Sequence, residues 1–216
     1  MSRKVPDPAP DASPIEKADV AVAQAASEVR HTAPVKATDK LAEVGDQPPL
    51  LLLSALVLGA GLWRRDARLT RAGVRMLAAE LVATAIKDVI KRSVSRTRPD
   101  MMLEEGRYEM KAGGPYEGKW NSFPSGHTAG AVAVSRALAR EYPQARLPAY
   151  AAATAIAGAQ IPSCNHYPSD IGAGALIGFA SEWLVDRGVR ALEPPLQRQM
   201  HRATLVRREA AARLIG

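Results

Sequence analysis

PPLLLLSALVLGAGLW, residues 48–63, carries no charge at any of its sixteen positions. As a helix rising about 1.5 Å per residue it would reach roughly 24 Å, against a hydrocarbon layer of about 30 Å. Alone, that length suits a buried core helix or a short membrane helix. Four further apolar segments follow and favour the membrane: VRMLAAELVATAIKDVIK at 74–91, HTAGAVAVSRALA from His127, LPAYAAATAIAGAQI at 147–161 and IGAGALIGFASEWLV at 171–185. All are rich in alanine and glycine, the small residues that let helices approach closely in a bilayer. No useful length alternates with the two-residue period of a strand. The pattern predicts an all-α fold, a membrane helical bundle of about five transmembrane helices occupying residues 48–190.

The flanks differ from the bundle. Met1–Gln47 opens on a Pro-rich run, VPDPAPDASP, and contains no apolar core of the kind a secretory signal needs. Its IEKADVAVAQAASEVR stretch has helical composition but few large apolar side chains to bury, so a polar tail, disordered or partly helical, is expected over 1–47. Residues 191–216 form a basic tail expected on the cytoplasmic side. The mean hydropathy of the whole chain, −0.14, averages these flanks with the bundle and hides the split.

A net charge of +7 and a pI near 9.8 fit nucleic acid, an anionic membrane surface or a phosphorylated substrate. Placement of the arginines decides among them. They crowd into RRDARLTRAGVR at 64–75, RALAREYPQAR at 136–146 and the region after Val185, and with five crossings these three all fall on one side. That is the positive-inside pattern of a cytoplasmic face. The arginines follow crossings and do not build one basic face with stacking aromatics, so no nucleic-acid partner is expected. The single cysteine, Cys164, excludes an intrachain disulfide and a cysteine zinc cluster.

The opposite face carries the unusual residues, in three clusters. KRSVSRTRP, 91–99, ends a helix with Lys91 and Arg98 seven positions apart, a compact charge and a planar fork for phosphate oxygens. FPSGH, 123–127, precedes an apolar helix. Ser125 suits the N-cap there, Gly126 lets backbone N–H groups approach an anion, and His127 titrates near neutrality. In AQIPSCNHYPSD, 159–170, His166 and Asp170 stand four apart, the spacing at which a carboxylate orients an imidazole. Read singly, these clusters are also what a basic helix end and two capped helix starts look like.

In this order the three clusters resemble the type 2 phosphatidic acid phosphatase superfamily, which includes lipid phosphate phosphatases, polyprenyl pyrophosphatases and vanadium haloperoxidases. The resemblance covers Leu77 to Val185. The family pattern is Lys, six residues, Arg-Pro; then Pro-Ser-Gly-His; then Ser-Arg, five residues, His, three residues, Asp. The resemblance implies that His166 is the nucleophile, Asp170 its orienting base, and His127 the acid that protonates the leaving alkoxide. Lys91, Arg98, Ser125 and the Gly126 backbone would hold the phosphate, without metal or cofactor.

One departure stands out: the family's Ser-Arg falls on Ala159-Gln160. Gln160 keeps hydrogen-bond donors for the phosphate but brings no charge. Losing one charge-assisted contact to a transition state costs about 2–4 kcal/mol. Arg92, Arg96, Arg107, Lys111 and Lys119 are candidate replacements in the same loop. The expected function is dephosphorylation of a lipid phosphate or polyprenyl pyrophosphate at the non-cytoplasmic face of a bacterial inner membrane. Two alternatives are a catalytically weakened relative that binds phosphorylated lipid in a regulatory role and a soluble enzyme of the same superfamily. The expected partners are the phosphorylated lipid and the membrane; the sequence leaves the oligomeric state open.

Overall fold

A computed structural model describes residues 12–114 and 118–215, with side chains described as far as 192 except that of Lys119. Helices dominate: α1 (Pro14–Ser27), α2 (Ala33–Ala42), α3 (Gln47–Trp63), α4 (Ala67–Ser93), α5 (Pro99–Glu105), α6 (Gly126–Glu141), α7 (Arg146–Ala159) and α8 (Pro168–Ile215). The helix starts carry local reasons. Asp66 caps α4 by accepting from the N–H groups of Arg68 and Leu69, and Ser125 caps α6 by accepting from Thr128 N–H. Gly106, at φ +72°, closes α5 in the left-handed conformation that glycine adopts without penalty.

Four of the five apolar segments pack around α6, which lies against α4, α7 and α8, while α3 lies on α4. The core between them is built from small side chains, including Ala79, Ala83, Ala129, Ala133 and Ala137, with Leu50, Met76, Val134 and Ile177 filling the gaps. Two glycines set how closely helices meet. A Cβ on Gly73 would stand 2.4 Å from the Leu58 backbone of α3, and one on Gly178 would stand 2.4 Å from the Ala129 carbonyl of α6. At the far end of the bundle from the histidines, Arg75 bridges Glu141 at 2.9 Å and Asp186 at 3.0 Å. Arg140 adds contacts to Asp186 and Glu182. The arginines that mark one face in the sequence are thus partly spent on locking α4, α6 and α8 together.

Three features differ from the sequence reading. First, the 1–47 tail, expected as disordered or partly helical, forms α1 and α2 among its described residues, and α1 is docked on the rest of the chain. Their few apolar side chains suffice because partners exist: Val20 and Ala23 are buried against Met102 and Tyr167. Second, Val94–Arg96 (β1) pairs antiparallel with Met110–Ala112 (β2), an exception to an all-α chain. Three-residue strands are too short for alternation to show in sequence. Third, no single helix among the described residues is both long and apolar enough to cross a membrane. Only the pair 33–45 and 47–63, bent by 53°, meets both conditions together. α4 has the length, at 27 residues, but charged residues recur along it from Arg68 to Arg92. α8 continues through position 190, where the sequence suggested a boundary.

The α6–α8 contact offers a direct check. Gly178→Val should destabilise the protein by about 1–3 kcal/mol, through overpacking against the α6 backbone. Gly172→Ala, where an added Cβ meets nothing within 4 Å, should not lower stability. Thermal unfolding of both variants in one detergent measures the difference.

Candidate active site

The end of α4, the start of α6 and the start of α8 meet at one end of the bundle. His166 sits in the turn between α7 and α8. That turn is pinned by the Gln160 carbonyl, which accepts from the backbone N–H groups of Asn165 (3.1 Å) and His166 (3.3 Å). Asp170, in the first turn of α8, is completely buried. Its Oδ2 accepts from Ser122 Oγ at 2.5 Å and Tyr167 N–H at 2.9 Å, and its Oδ1 accepts from Arg96 Nη1 at 2.6 Å. His166 Nδ1 lies 3.6 Å from Asp170 Oδ2, an ion-pair distance beyond a formed hydrogen bond. Nδ1 has no other partner, so this carboxylate is the group positioned to orient the ring.

Arg96 holds that carboxylate in place. Its guanidinium is buried and forks between two acids, giving Nη1 to Asp170 and Nη2 to Asp19 at 2.8 Å. It also lies 4.1 Å above the Tyr167 ring. Asp19 comes from α1 and additionally accepts from the backbone N–H of Ser169 at 3.1 Å and from its hydroxyl. A chain of contacts thus runs from the N-terminal helix through Arg96 and Asp170 to His166.

The electrostatics favour a neutral imidazole beside an ionised carboxylate. Burial pushes His166 down to about 4; Asp170 opposes this, and the Arg98 and Lys91 cations add to it. Burial alone would raise Asp170, but the contacts with His166, Arg96 and Ser122 override it and hold the carboxyl at about 2. Near neutral pH, His166 therefore carries a lone pair and Asp170 a full charge.

His127 is the second residue of α6. Its ring centre lies 6.4 Å from that of His166, and its Nε2 lies 2.9 Å from Asp46 Oδ1. Both rings border a cavity of about 370 Å³, together with Lys87, Lys91, Arg98, Gly126, Asp46 and Glu80. Loop carbonyls aim the cations: Lys91 Nζ donates to Asn121 O at 2.5 Å, and Arg98 Nε donates to Gly118 O at 2.7 Å. The start of α6 adds backbone N–H groups and the positive end of its dipole. Such a space, walled by cations and free N–H groups, suits a phosphate. Among the described residues, no group of three or more His, Cys, Asp or Glu side chains could hold a metal ion.

Five of the eight residues singled out from sequence line this cavity: Lys91, Arg98, Gly126, His127 and His166. Asp170 stands behind His166, and Ser125 serves as the α6 cap, its Oγ accepting also from Thr128 Oγ1 at 3.0 Å. Gln160 does not line the cavity. It is buried, donating to Ile156 O at 3.2 Å and accepting from Asn165 Nδ2 at 3.4 Å, so the amide frames the histidine turn. The described side chains among the candidate replacements do not line the cavity either. Arg96 is committed to Asp170, Arg107 and Lys111 pair with Glu109, and Arg92 is exposed; the Lys119 side chain lies outside the described set. Lys87 lines the cavity and was missed, although four residues before Lys91 is the spacing that shares a helix face. Asp19 and Asp46 left no comparable signal, because their partners are distant in the chain.

Comparison with known proteins bears on the same residues. Two curated relatives, lipid A 1-phosphatases of Rhizobium etli and Rhizobium johnstonii, are each 32% identical over 95 residues, 43% of this chain. The match spans 40% and 38% of their respective lengths. Among solved structures, a transmembrane PAP2 type phosphatidylglycerolphosphate phosphatase from Bacillus subtilis superposes with a TM-score of 0.63 at 20% identity, covering 84% of this chain and 89% of that one. LpxE of Aquifex aeolicus superposes with a TM-score of 0.57 at 20% identity, covering 79% and 95%. At such identities these two structures speak for the fold. The sequence model of the PAP2 superfamily matches residues 72–192, a range that contains both histidines, Asp170 and the Lys91–Arg98 pair, and the chain belongs to that superfamily.

Proposed function

We propose that this protein is a lipid phosphatase working through a phosphohistidine. The observation that carries the reading is the convergence of His127 and His166, 6.4 Å apart, on one cavity walled by Lys87, Lys91 and Arg98, with an ionised Asp170 behind the nucleophile. The cations and the α6 N-terminus hold the phosphate oxygens, and Asp170 takes the Nδ1 side of His166, so Nε2 attacks phosphorus. As the N–P bond forms, the P–O bond breaks and its pair goes to the leaving oxygen, which takes a proton from His127. Water then attacks phosphorus, giving its proton to His127, and the N–P pair returns to His166. Positioning and charge stabilisation carry this chemistry.

A lipid substrate is supported by the names of the relatives and by the outer faces of the helices. Leu52, Leu53, Leu56, Leu62 and Trp63 on α3, Leu81 and Val89 on α4, Leu147 on α7, and Leu176, Phe179 and Leu184 on α8 are all exposed. So large an apolar surface fits acyl chains better than water. In the proposed arrangement the bundle lies in a bacterial inner membrane with the cavity at the non-cytoplasmic face, opposite the arginine-rich end. Lys87 brings the cavity a positive charge that Gln160 lacks, shared with Asp88 at 3.0 Å, and the assay below separates the enzyme from a weakened relative that only binds phosphorylated lipid.

Phosphate release from a lipid monophosphate in detergent should fall at least about 10³-fold in His166→Ala, and equal release from both proteins would refute the enzyme. Lys87→Gln should lower kcat/KM about 10–100-fold, the effect of one charge-assisted contact to the transition state. The protonation state of the nucleophile is separately measurable. A lowered value means that the ring takes up its proton only at lower pH: His166 should stay neutral as pH falls through 6.5 and gain its proton only near 4. Nitrogen-15 imidazole NMR in detergent would show this, and a midpoint at or above 6.5 would contradict it.

A further inference from the structure

We propose that Asp46 is a positioning residue for the acid–base histidine, its carboxylate holding the Nε2–H of His127 so that Nδ1 exchanges the proton with the leaving oxygen. This rests on the phosphatase reading above and assigns to that site a second carboxylate–imidazole pair, supplied by the N-terminal segment.

Asp46 occupies the N-cap of α3, where an aspartate ordinarily accepts from the N–H groups two and three residues on. Those residues are Pro48 and Pro49, which have no N–H, and Asp46 makes no side-chain cap bond. Its carboxylate is instead 2.9 Å from His127 Nε2. The approach is built in. A Cβ on the preceding residue, Gly45, would stand 2.4 Å from Ile156 Cγ2 and 3.5 Å from His127 Cδ2, so the turn sits closer to the Ile156 side chain of α7 than a Cβ allows without a shift, and within van der Waals reach of the imidazole. Asp39, in α2, anchors the same segment to the other histidine's turn by accepting from Asn165 Nδ2 at 2.8 Å.

Charge gives the contact a purpose. Lys91 and Arg98 line the cavity beside His127 and disfavour a second positive ring. An anion on the opposite nitrogen counters them and fixes the tautomer, the task Asp170 performs for His166. The two rings need opposite states: His166 neutral to attack, His127 protonated to release the alkoxide. In the forward step Nδ1–H gives its proton to the leaving oxygen as the P–O pair departs. In the second step water returns a proton to Nδ1 as its oxygen bonds to phosphorus.

The test is a series of alkyl and aryl phosphates given to the full-length protein in detergent, comparing wild type, Asp46→Asn and Asp46→Glu by kcat/KM, which reports steps up to departure of the alcohol. Asp46→Asn should lower kcat/KM for alkyl phosphates about 10-fold or more. The loss should shrink as the leaving group becomes more acidic and needs its proton less, and Asp46→Glu should recover part of it. A uniform loss across the series, no loss, or a gain would overturn the assignment. Wild-type release no greater than that of His166→Ala would overturn both the assignment and the phosphatase reading beneath it.

Discussion

The Arg96 guanidinium, buried between Asp19 and Asp170, is the contact on which the site's geometry depends. A buried charge is costly unless its hydrogen bonds are met, and removing one partner of such a pair commonly costs about 3–5 kcal/mol. Arg96 meets the condition with a planar fork that reaches two acids at once, while the Tyr167 ring covers one face and Tyr108 Oη accepts from Nη2 at 3.1 Å. A lysine has no fork to span two carboxylates. The three chain segments so joined, α1, β1 and α8, share little other packing. The ion triad therefore places α1, together with the Val20 and Ala23 contacts to Met102 and Tyr167, and it fixes the Asp170 carboxylate beside His166.

Helix packing does the remaining positioning. Gly178 brings α8 against α6, and alanines let α4 lie beside both. Because α6 and α8 begin at the same end of the bundle, their positive dipole ends face a common space. α4 ends there, which by itself would place negative carbonyls toward an anion. Lys87 and Lys91 on its last turns reverse that effect. The positive character of the cavity thus follows from chain direction as much as from side-chain identity.

The helical core was legible because it is written in composition: uncharged or Ala-rich runs at 48–63, 74–91, 127–139, 147–161 and 171–185 correspond to α3, α4, α6, α7 and α8. Lys91, Arg98, His127, His166 and Asp170 were legible because each lies within a few residues of a helix boundary, where spacing carries meaning. The helical tendency of residues 15–30 was legible as well, but the docking of that helix was not, because its partners are distant in the chain: Asp19 meets Arg96, and Val20 and Ala23 meet Met102 and Tyr167. Gln160 was misread for a related reason. Its place in a motif suggested the phosphate, whereas its side chain is taken up by Ile156 O and Asn165 Nδ2. The 94–96 and 110–112 pairing was invisible because three residues carry no period.

Lys87 and position 160, where the superfamily pattern has an arginine, lie at different places around the site. Position 160 lies at the end of α7, beneath the turn that carries the nucleophile. Lys87 reaches across the start of α6, where a Cβ on Gly126 would stand 3.2 Å from its Cδ. In the proposed mechanism its charge therefore meets the phosphate from the side of His127 and the leaving group, not from the side of His166. Lys87 also lies 3.0 Å from Asp88, so part of its charge is answered before any ligand arrives. In that mechanism a phosphate competes with Asp88 for Lys87, whereas Asp46 takes Nε2 of His127 and leaves Nδ1 to the leaving group. Asp46 and Lys87 both border the cavity together with His127. In the proposed mechanism, discrimination among leaving groups would fall to the wall formed by α3, α4 and the start of α6, and the phosphoryl chemistry to the turn before α8.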